Sequence, residues 1–389
     1  MSKPRVLIVY HSYLPSEFAM GPVSAIRYLI DCMSHDYEIT LLTLNHDFIT
    51  GKKLFVNDHH VVSADRVTIE YLPRGFCGLR LLLQRLREPH DVLEIHSGFD
   101  RHLAIPALVL TRMGVVNGNR AFHSPHGVFL PIDMSRGAFK KRLYCAIADI
   151  VNLYKNVVHL ASSPGEVADI RRWHRRPQRI IEMPHFVDAH AGMQRVPPRS
   201  KPAQTLKIAF VGRIALQKNF LFAIEVVRAL GVRSEMDVFG EGDPDYQPAC
   251  DIAIKAGTGL CKITLRGQVP QNELLEILAN YDVLLHPTSG ENFGYSIIEA
   301  LSLGVPVLIS DKCPWLDVEK FNAGWMIAGS DKAAFVARLT QIFNMGSEWQ
   351  ALREGAIKYA REKVDNERSR KLRGQLYAGA IVPEFGAST

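Results

Sequence analysis

Short apolar runs rich in β-branched residues alternate along the chain with segments whose apolar residues recur every three or four positions. In the first half, residues 5–10, 38–44, 67–71, 92–96, 121–124 and 157–161 read as strands. Between them, 21–32, 79–86, 103–112, 139–151 and 165–173 carry helical periodicity. The second half repeats the scheme, with strands at 207–211, 235–239, 263–266, 283–286 and 305–309 and helices at 220–230, 271–279, 296–303, 332–345 and 347–363. Strand–helix alternation at this spacing predicts a parallel sheet wound with helices on both faces. It occurs twice, so the expected class is α/β with two Rossmann-like doubly wound domains. A chain of 389 residues suits two such cores better than one.

The boundary is compositional. HAGMQRVPPRSKPAQT, residues 190–205, is Pro-rich, polar and aperiodic, as a linker should be. The predicted organisation is therefore a domain over 1–190, a linker over 191–205, a second domain over 206–370, and a tail over 371–389 that can cross back to the first domain. Two such domains in tandem would face a cleft, and open α/β sheets bind ligands at the C-terminal ends of their strands.

Charge is uneven. Residues 1–200 hold 25 Lys and Arg against 18 Asp and Glu, and the remainder holds 21 against 22. A basic first half suggests an anionic partner: a membrane surface, a phosphorylated substrate or nucleic acid. No helix-turn-helix, zinc-finger or RNA-binding aromatic signature accompanies it. No run approaches the ~20 apolar residues of a membrane span. The first strand begins directly after Pro4, unlike a signal peptide. The six scattered cysteines read as reduced thiols of a cytosolic protein. The fifteen histidines lack metal-ligand spacing and read as ordinary surface residues.

Candidate chemistry concentrates in SGENFGYSIIEAL, residues 289–301. The apolar run 282–287 is a buried strand, so 287–294 is the loop at its C-terminal end. Helical phase from Tyr295 puts Tyr295, Glu299 and Ser302 on one polar stripe, with Ile297, Ile298 and Leu301 facing the sheet. Glu291 precedes the helix and Glu299 lies one turn inside it. Eight residues span about 12 Å when helical, the reach of an extended ligand with hydroxyls at both ends. The free amides of the helix N-terminus between them suit phosphate. A plainer assignment has Glu291 capping the helix and Glu299 solvated. Nearby, Gly212-Arg213 and Lys218 follow the first strand of the second half, where two cations could neutralise a diphosphate. Gly240 ends the next strand. Asp243-Pro244-Asp245 looks like a metal-binding DxD tripeptide or, more simply, a turn. Backbone groups around Gly267–Val269 could read a base.

Together these residues resemble the retaining glycosyltransferases of family 4, which have the GT-B fold. GRIALQKN matches the family's Gly-Arg…Lys segment, and ENFGYSIIE its Glu-x7-Glu motif, followed by ALSLGVPVLISD. The first half matches more loosely, through the loop after the first strand, where Met20-Gly21 stands for paired glycines, and through Pro125-His126-Gly127, SSPGE at 162–166 and PHFVD at 184–188. The resemblance implies a hexosyltransferase using a UDP-hexose or GDP-mannose donor and a saccharide or lipid-linked saccharide acceptor, in surface polysaccharide synthesis. It implies Arg213, Lys218, Glu291 and His126 as catalytic residues. Gly21, Gly212, Gly240, Val269, Asn292, Phe293, Gly294, Tyr295, Ser296 and Glu299 would bind the donor. No metal ion or cofactor is expected, since Arg213 and Lys218 would stabilise the leaving diphosphate.

Two rival readings fare worse. An NAD-dependent epimerase or dehydrogenase needs Gly-x-Gly-x-x-Gly opening the first helix, which SYLPSEFAMGPVS does not supply. A basic nucleic-acid-binding protein sits badly with the acidic, motif-rich second half. Residues 75–87 and 139–143 combine apolar helical faces with Arg and Lys. Those faces either pack on the sheet or, with their cations, hold a cytoplasmic enzyme at an anionic membrane.

Overall fold

The computed structural model describes residues 3–16, 21–47, 50–135, 137–176, 178–187, 205–257, 260–329 and 331–380. Met20 and linker residues 191–204 lie outside the described residues. The chain forms two compact units: Met1–Phe186 with Asn366–Thr389, and Val187–Asp365.

The first unit is built on eight strands: β1 (Arg5–Val9), β2 (Glu38–Leu44), β3 (His60–Ala64), β4 (Val67–Leu72), β5 (His90–His96), β6 (Gly118–Ser124), β7 (Val158–Ala161) and β8 (Ile180–Glu182). They lie in the order β3-β4-β2-β1-β5-β6-β7-β8. Adjacent strands run parallel except β3, which pairs antiparallel with β4. β1 sits centrally and is buried from Val6 to Val9, as a strand covered on both faces must be. Leu7 and Val9 on one face join Leu82, Leu86, Ala104 and Leu108 from two covering helices.

The second unit has six strands, β9 (Leu206–Val211), β10 (Ser234–Phe239), β11 (Cys261–Gly267), β12 (Val283–His286), β13 (Val307–Ser310) and β14 (Gly324–Ile327). Their order is β11-β10-β9-β12-β13-β14, all parallel. Successive side chains feed opposite cores, as a period of two requires. Ala209, Val211 and Leu284 pack with Ile297, Ile298 and Tyr359. Ile208, Phe210, Val283 and Leu285 pack with Phe220, Ile224 and Phe335.

Of the elements that escape the periodicity, among them β8 and helices Pro131–Ser135 and Gln247–Lys255, three do so for plain physical reasons. β3 is an exposed edge strand without alternation. β14 is a four-residue edge strand that is only half-buried, so it lacks the continuous aliphatic run of the equally short β12 and β13. Helix Asn366–Ala378, NERSRKLRGQLYA, belongs to the first unit, and its buried side is Ser369, Arg373, Leu376 and Tyr377. Its inner face thus carries polar groups that hydropathy assigns to solvent.

Candidate active site

In the second unit the strand order reverses beside β9: β10 and β11 lie on one side, β12 to β14 on the other. Loops leaving the C-terminal ends of strands at such a switch point flank the crevice that open α/β sheets use for ligands. The loop after β9 carries Gly212, Arg213 and Lys218, and the loop after β12 carries Glu291, Asn292, Phe293 and Gly294. The loops are tied to each other. Ser289 N–H donates to Gln217 O at 2.7 Å, Gln217 Nε2–H to Gly290 O at 2.9 Å, and the Thr288 hydroxyl to Gln217 O at 2.9 Å.

This tie brings Lys218 Nζ into an ion pair with Glu291 Oε2, and His286 Nε2 lies 3.0 Å from the same oxygen. Burial by itself would raise the Glu291 pKa. The Lys218 ammonium, then the His286 hydrogen bond, outweigh it and bring the carboxyl down to about 2. His286 is pushed below its ordinary range by burial and by Lys218, so it donates Nε2–H as a neutral imidazole. Arg213 Nη1 sits 3.2 Å from Asp243 Oδ1. That pairing commits Asp243 to a turn, where its N–H donates to Ile214 O at 2.9 Å. Among the described residues no group of three or more His, Cys, Asp or Glu could hold a metal ion.

Gly240 is required by a close approach: a Cβ there would lie 2.3 Å from Gly212 O. With backbone touching backbone, the ends of β9, β10 and β11 open onto a concavity of about 320 Å³ lined by Ile214, Glu241, Pro244, Gln247, Leu265 and Gly267. Val269 packs instead against the apolar cluster that holds Phe239, Leu275 and Phe293.

Gly294, at φ 78°, precedes helix Tyr295–Ser302, and no side chain caps it. Glu291 is therefore not a helix cap. Ile297, Ile298 and Leu301 face the core as the phase requires. The polar stripe is a different matter: Glu299 is 4% exposed and Ser302 1%. Glu299 is not solvated; one oxygen accepts Gln271 Nε2–H. Tyr295 and Ser296 are half-buried in the first turn. The uncapped first turn, Lys218 and Arg213 form a cationic, donor-rich rim able to hold a phosphate.

In the first unit, Gly21 opens helix Gly21–Met33. His126 follows β6 with a left-handed φ of 56°. Two separate sequence landmarks meet here: Glu166 accepts Gly127 N–H at 2.6 Å and Ser162 N–H at 2.7 Å. His126 stacks on His96 with ring centroids 4.9 Å apart and on His185 at 5.3 Å. The surface assignment of the histidines is wrong: His11, His90, His96, His123, His159, His174 and His286 are all buried. Burial pushes His123 down to about 3, and His126 and His159 well below the ordinary range. An imidazole is small and flat enough to pack in a core when its nitrogens find partners, and spacing in sequence carries no trace of that.

The structure thus joins Lys218 to Glu291 and stacks the Gly212 and Gly240 loops. It adds His286 and Gln271 as partners of the two glutamates, and Glu94, His96 and Arg373 around His126. Only His286 left a signal in sequence, as the last residue of the strand that leads into the Glu291 loop.

Residues 196–363 match the family model of glycosyl transferases group 1. A GDP-mannose-dependent alpha-mannosyltransferase of Mycolicibacterium smegmatis is 24% identical over 325 residues, covering 79% of this chain and 80% of its own. Sucrose-phosphate synthase from Thermosynechococcus elongatus superposes with a TM-score of 0.76 at 16% identity, over 97% of this chain and 99% of its own. Anabaena HepE, solved in complex with UDP-glucose, gives 0.74 at 13%, over 96% and 99%. With two parallel-sheet units of the GT-B kind and a second unit that matches the family model of glycosyl transferases group 1, the chain is similar to glycosyltransferases over both units.

Proposed function

We propose that the enzyme transfers a hexose, with retention of configuration, from a UDP-hexose or GDP-mannose to a hydroxyl of a saccharide or lipid-linked saccharide, in surface polysaccharide synthesis. The observation that carries this reading is the buried Lys218–Glu291 ion pair beside Arg213 at the switch point of the second sheet. Lys218 has three donors, so it can keep Glu291 and still reach a phosphate oxygen. Glu291, held ionised, accepts hydrogen bonds from hydroxyls of the transferred sugar, while Glu299 takes the ribose hydroxyls. The bond from the anomeric carbon to the diphosphate breaks as the acceptor oxygen bonds to the same face. The acceptor's proton passes to the departing phosphate oxygen. Negative charge growing on that diphosphate is stabilised by Arg213, Lys218 and the amides around Phe293–Ser296. His126 orients the sugar or acceptor. No metal is assigned a part. The relatives that use GDP-mannose or bind UDP-glucose support a nucleotide sugar as donor.

The membrane reading gains from the first unit. Helix Ala138–Ile150 leaves Phe139, Leu143, Ile147 and Ile150 exposed in a row, with Lys140 and Arg142 beside them. A cytoplasmic enzyme resting on an anionic inner membrane face, where a lipid-linked acceptor resides, fits that combination. Among the described residues no helix is long and apolar enough to cross a membrane.

The direct test is a screen of nucleotide sugars for slow hydrolysis by the purified enzyme without acceptor. One UDP-hexose or GDP-mannose should be consumed, with activity retained in EDTA. Folded protein that neither binds nor hydrolyses any of them overturns the donor assignment. Complete loss in EDTA with recovery in manganese returns Asp243 and Asp245 to a metal site.

A further inference from the structure

The surroundings of His126 contain more order than a packed histidine needs. Glu94 and His96, two apart on β5, project from the same face of the strand. Glu94 is wholly buried, and its Oε1 accepts Arg373 Nη1–H at 2.6 Å and the Tyr377 hydroxyl, both from helix Asn366–Ala378. Its Oε2 lies 3.1 Å from His96 Nε2. His96 Nδ1 in turn lies 2.7 Å from His126 Nε2.

Hydrogen-bond chemistry settles the direction of this chain. An ionised carboxylate only accepts, so His96 must carry its proton on Nε2. Arg373 already neutralises Glu94, and the rings stacked beyond His96 belong to His126 and His185, neither an anion. A proton on both nitrogens of His96 would set a second buried positive charge on a carboxylate already paired with Arg373. His96 Nδ1 is therefore an acceptor, and the proton between the two rings belongs to His126 Nε2. His126 Nδ1 then bears the lone pair, and among the described residues it has no hydrogen-bond partner.

We propose that Glu94 and His96, held by Arg373 and Tyr377, are positioning residues that lock His126 in the Nε2–H tautomer, so that Nδ1 is a fixed acceptor for a hydroxyl of the sugar or acceptor substrate. The inference rests on the reading of His126 as a substrate-facing residue. It assigns the C-terminal helix a part in setting the polarity of that residue. Without the relay His126 could turn its N–H toward the substrate, opposing another donor and losing the bond. Burial, which keeps His126 and His185 uncharged, agrees with this arrangement.

The test is ¹⁵N-histidine NMR of the intact enzyme near neutral pH, with His126 assigned by comparison with His126→Gln. The expected spectrum shows His126 protonated on Nε2 and unprotonated on Nδ1. A proton on Nδ1, or an imidazolium, overturns the proposal whatever any variant does. In His96→Phe, which cannot accept, His126 should populate both tautomers, and kcat should fall roughly 10- to 100-fold with donor KM unchanged. Adding His96→Phe to His126→Ala should then cost nothing further. A folded His96→Phe enzyme with full kcat, or one whose loss adds to that of His126→Ala, also overturns it. The NMR result is readable without turnover, so failure of the donor assignment and failure of the relay are separately visible.

Discussion

Lys218 and Arg213 sit in one loop but stand in different positions electrostatically. Lys218 holds a largely buried carboxylate, whereas the Arg213–Asp243 pair is partly open to solvent, at 31% and 19% side-chain exposure. Either Lys218→Ala or Arg213→Ala should cut turnover by two or more orders of magnitude, as about 3 kcal/mol of leaving-group stabilisation is lost. The variants should separate in stability. Lys218→Ala strands the Glu291 charge with only His286 and lowers the denaturation midpoint, while Arg213→Ala leaves it nearly unchanged. Steady-state kinetics with urea titrations check both, and full turnover in either variant sinks the clamp. Glu299 calls for a different signature. Holding two ribose hydroxyls in ground and transition state alike, it should raise donor KM more than it lowers kcat when changed to Gln. The fold should tolerate that change, since the new carboxamide oxygen can still accept Gln271 Nε2–H. Unaltered nucleotide affinity by calorimetry would remove the role.

At the scale of elements, helix Ala138–Ile150 departs from what its neighbours do. Its inner side is Cys145, Ala148 and Asp149, and its outer side shows Phe139 at 79% exposure and Ile150 at 74%. Arg112 Nε–H, from the end of helix Ala104–Arg112, donates to Asn152 O at 2.9 Å, which sets exposed Met113 on a helix end joined to that of Ile150. Exposed Phe76 and Leu79 lie on the adjoining helix Phe76–Arg87 with exposed Arg80 and Arg87. Apolar groups that would normally be covered, rimmed by cations each contributing about 1 kcal/mol near an anionic surface, suit reversible docking. The protein should co-sediment with phosphatidylserine-containing vesicles at low salt and be released at high salt. Phe139→Ser with Ile150→Ser should cut the bound fraction severalfold. Equal recovery in the supernatant with anionic and neutral vesicles would leave these residues no membrane role.

At the scale of the whole molecule, the two units differ most in their histidines. The first unit buries His123 with a pKa near 3, against about 6.5 in an unfolded chain. Between those values the unfolded state binds the extra proton, so stability is intact above about pH 6.5 and falls as pH drops. The slope is about 1.4 kcal/mol per pH unit for His123 alone. His126, His159, His174 and His185 shift in the same direction. The described part of the second unit has one histidine, His286. Acidification from pH 7 toward 4.5 should therefore unfold the first unit before the second, resolved by hydrogen exchange read peptide by peptide. Simultaneous loss, or earlier loss of the second unit, contradicts the assignment. These same residues mark where reading a sequence ends. The alternation of strand and helix, the turn at Gly240 and the clustering of Arg213, Lys218 and Glu291 on two loops follow from the chain itself, because periodicity and chain chemistry report local partition between water and core. Partner choice among polar groups is long-range. Lys218 meets Glu291 across 73 residues and Arg373 meets Glu94 across 279. Glu299, the buried histidines and the polar inner face of helix Asn366–Ala378 all read as solvent-facing until folding supplies distant hydrogen-bond partners. Hydropathy scores a residue by the cost of burying it alone, and only the tertiary structure decides whether it is buried alone.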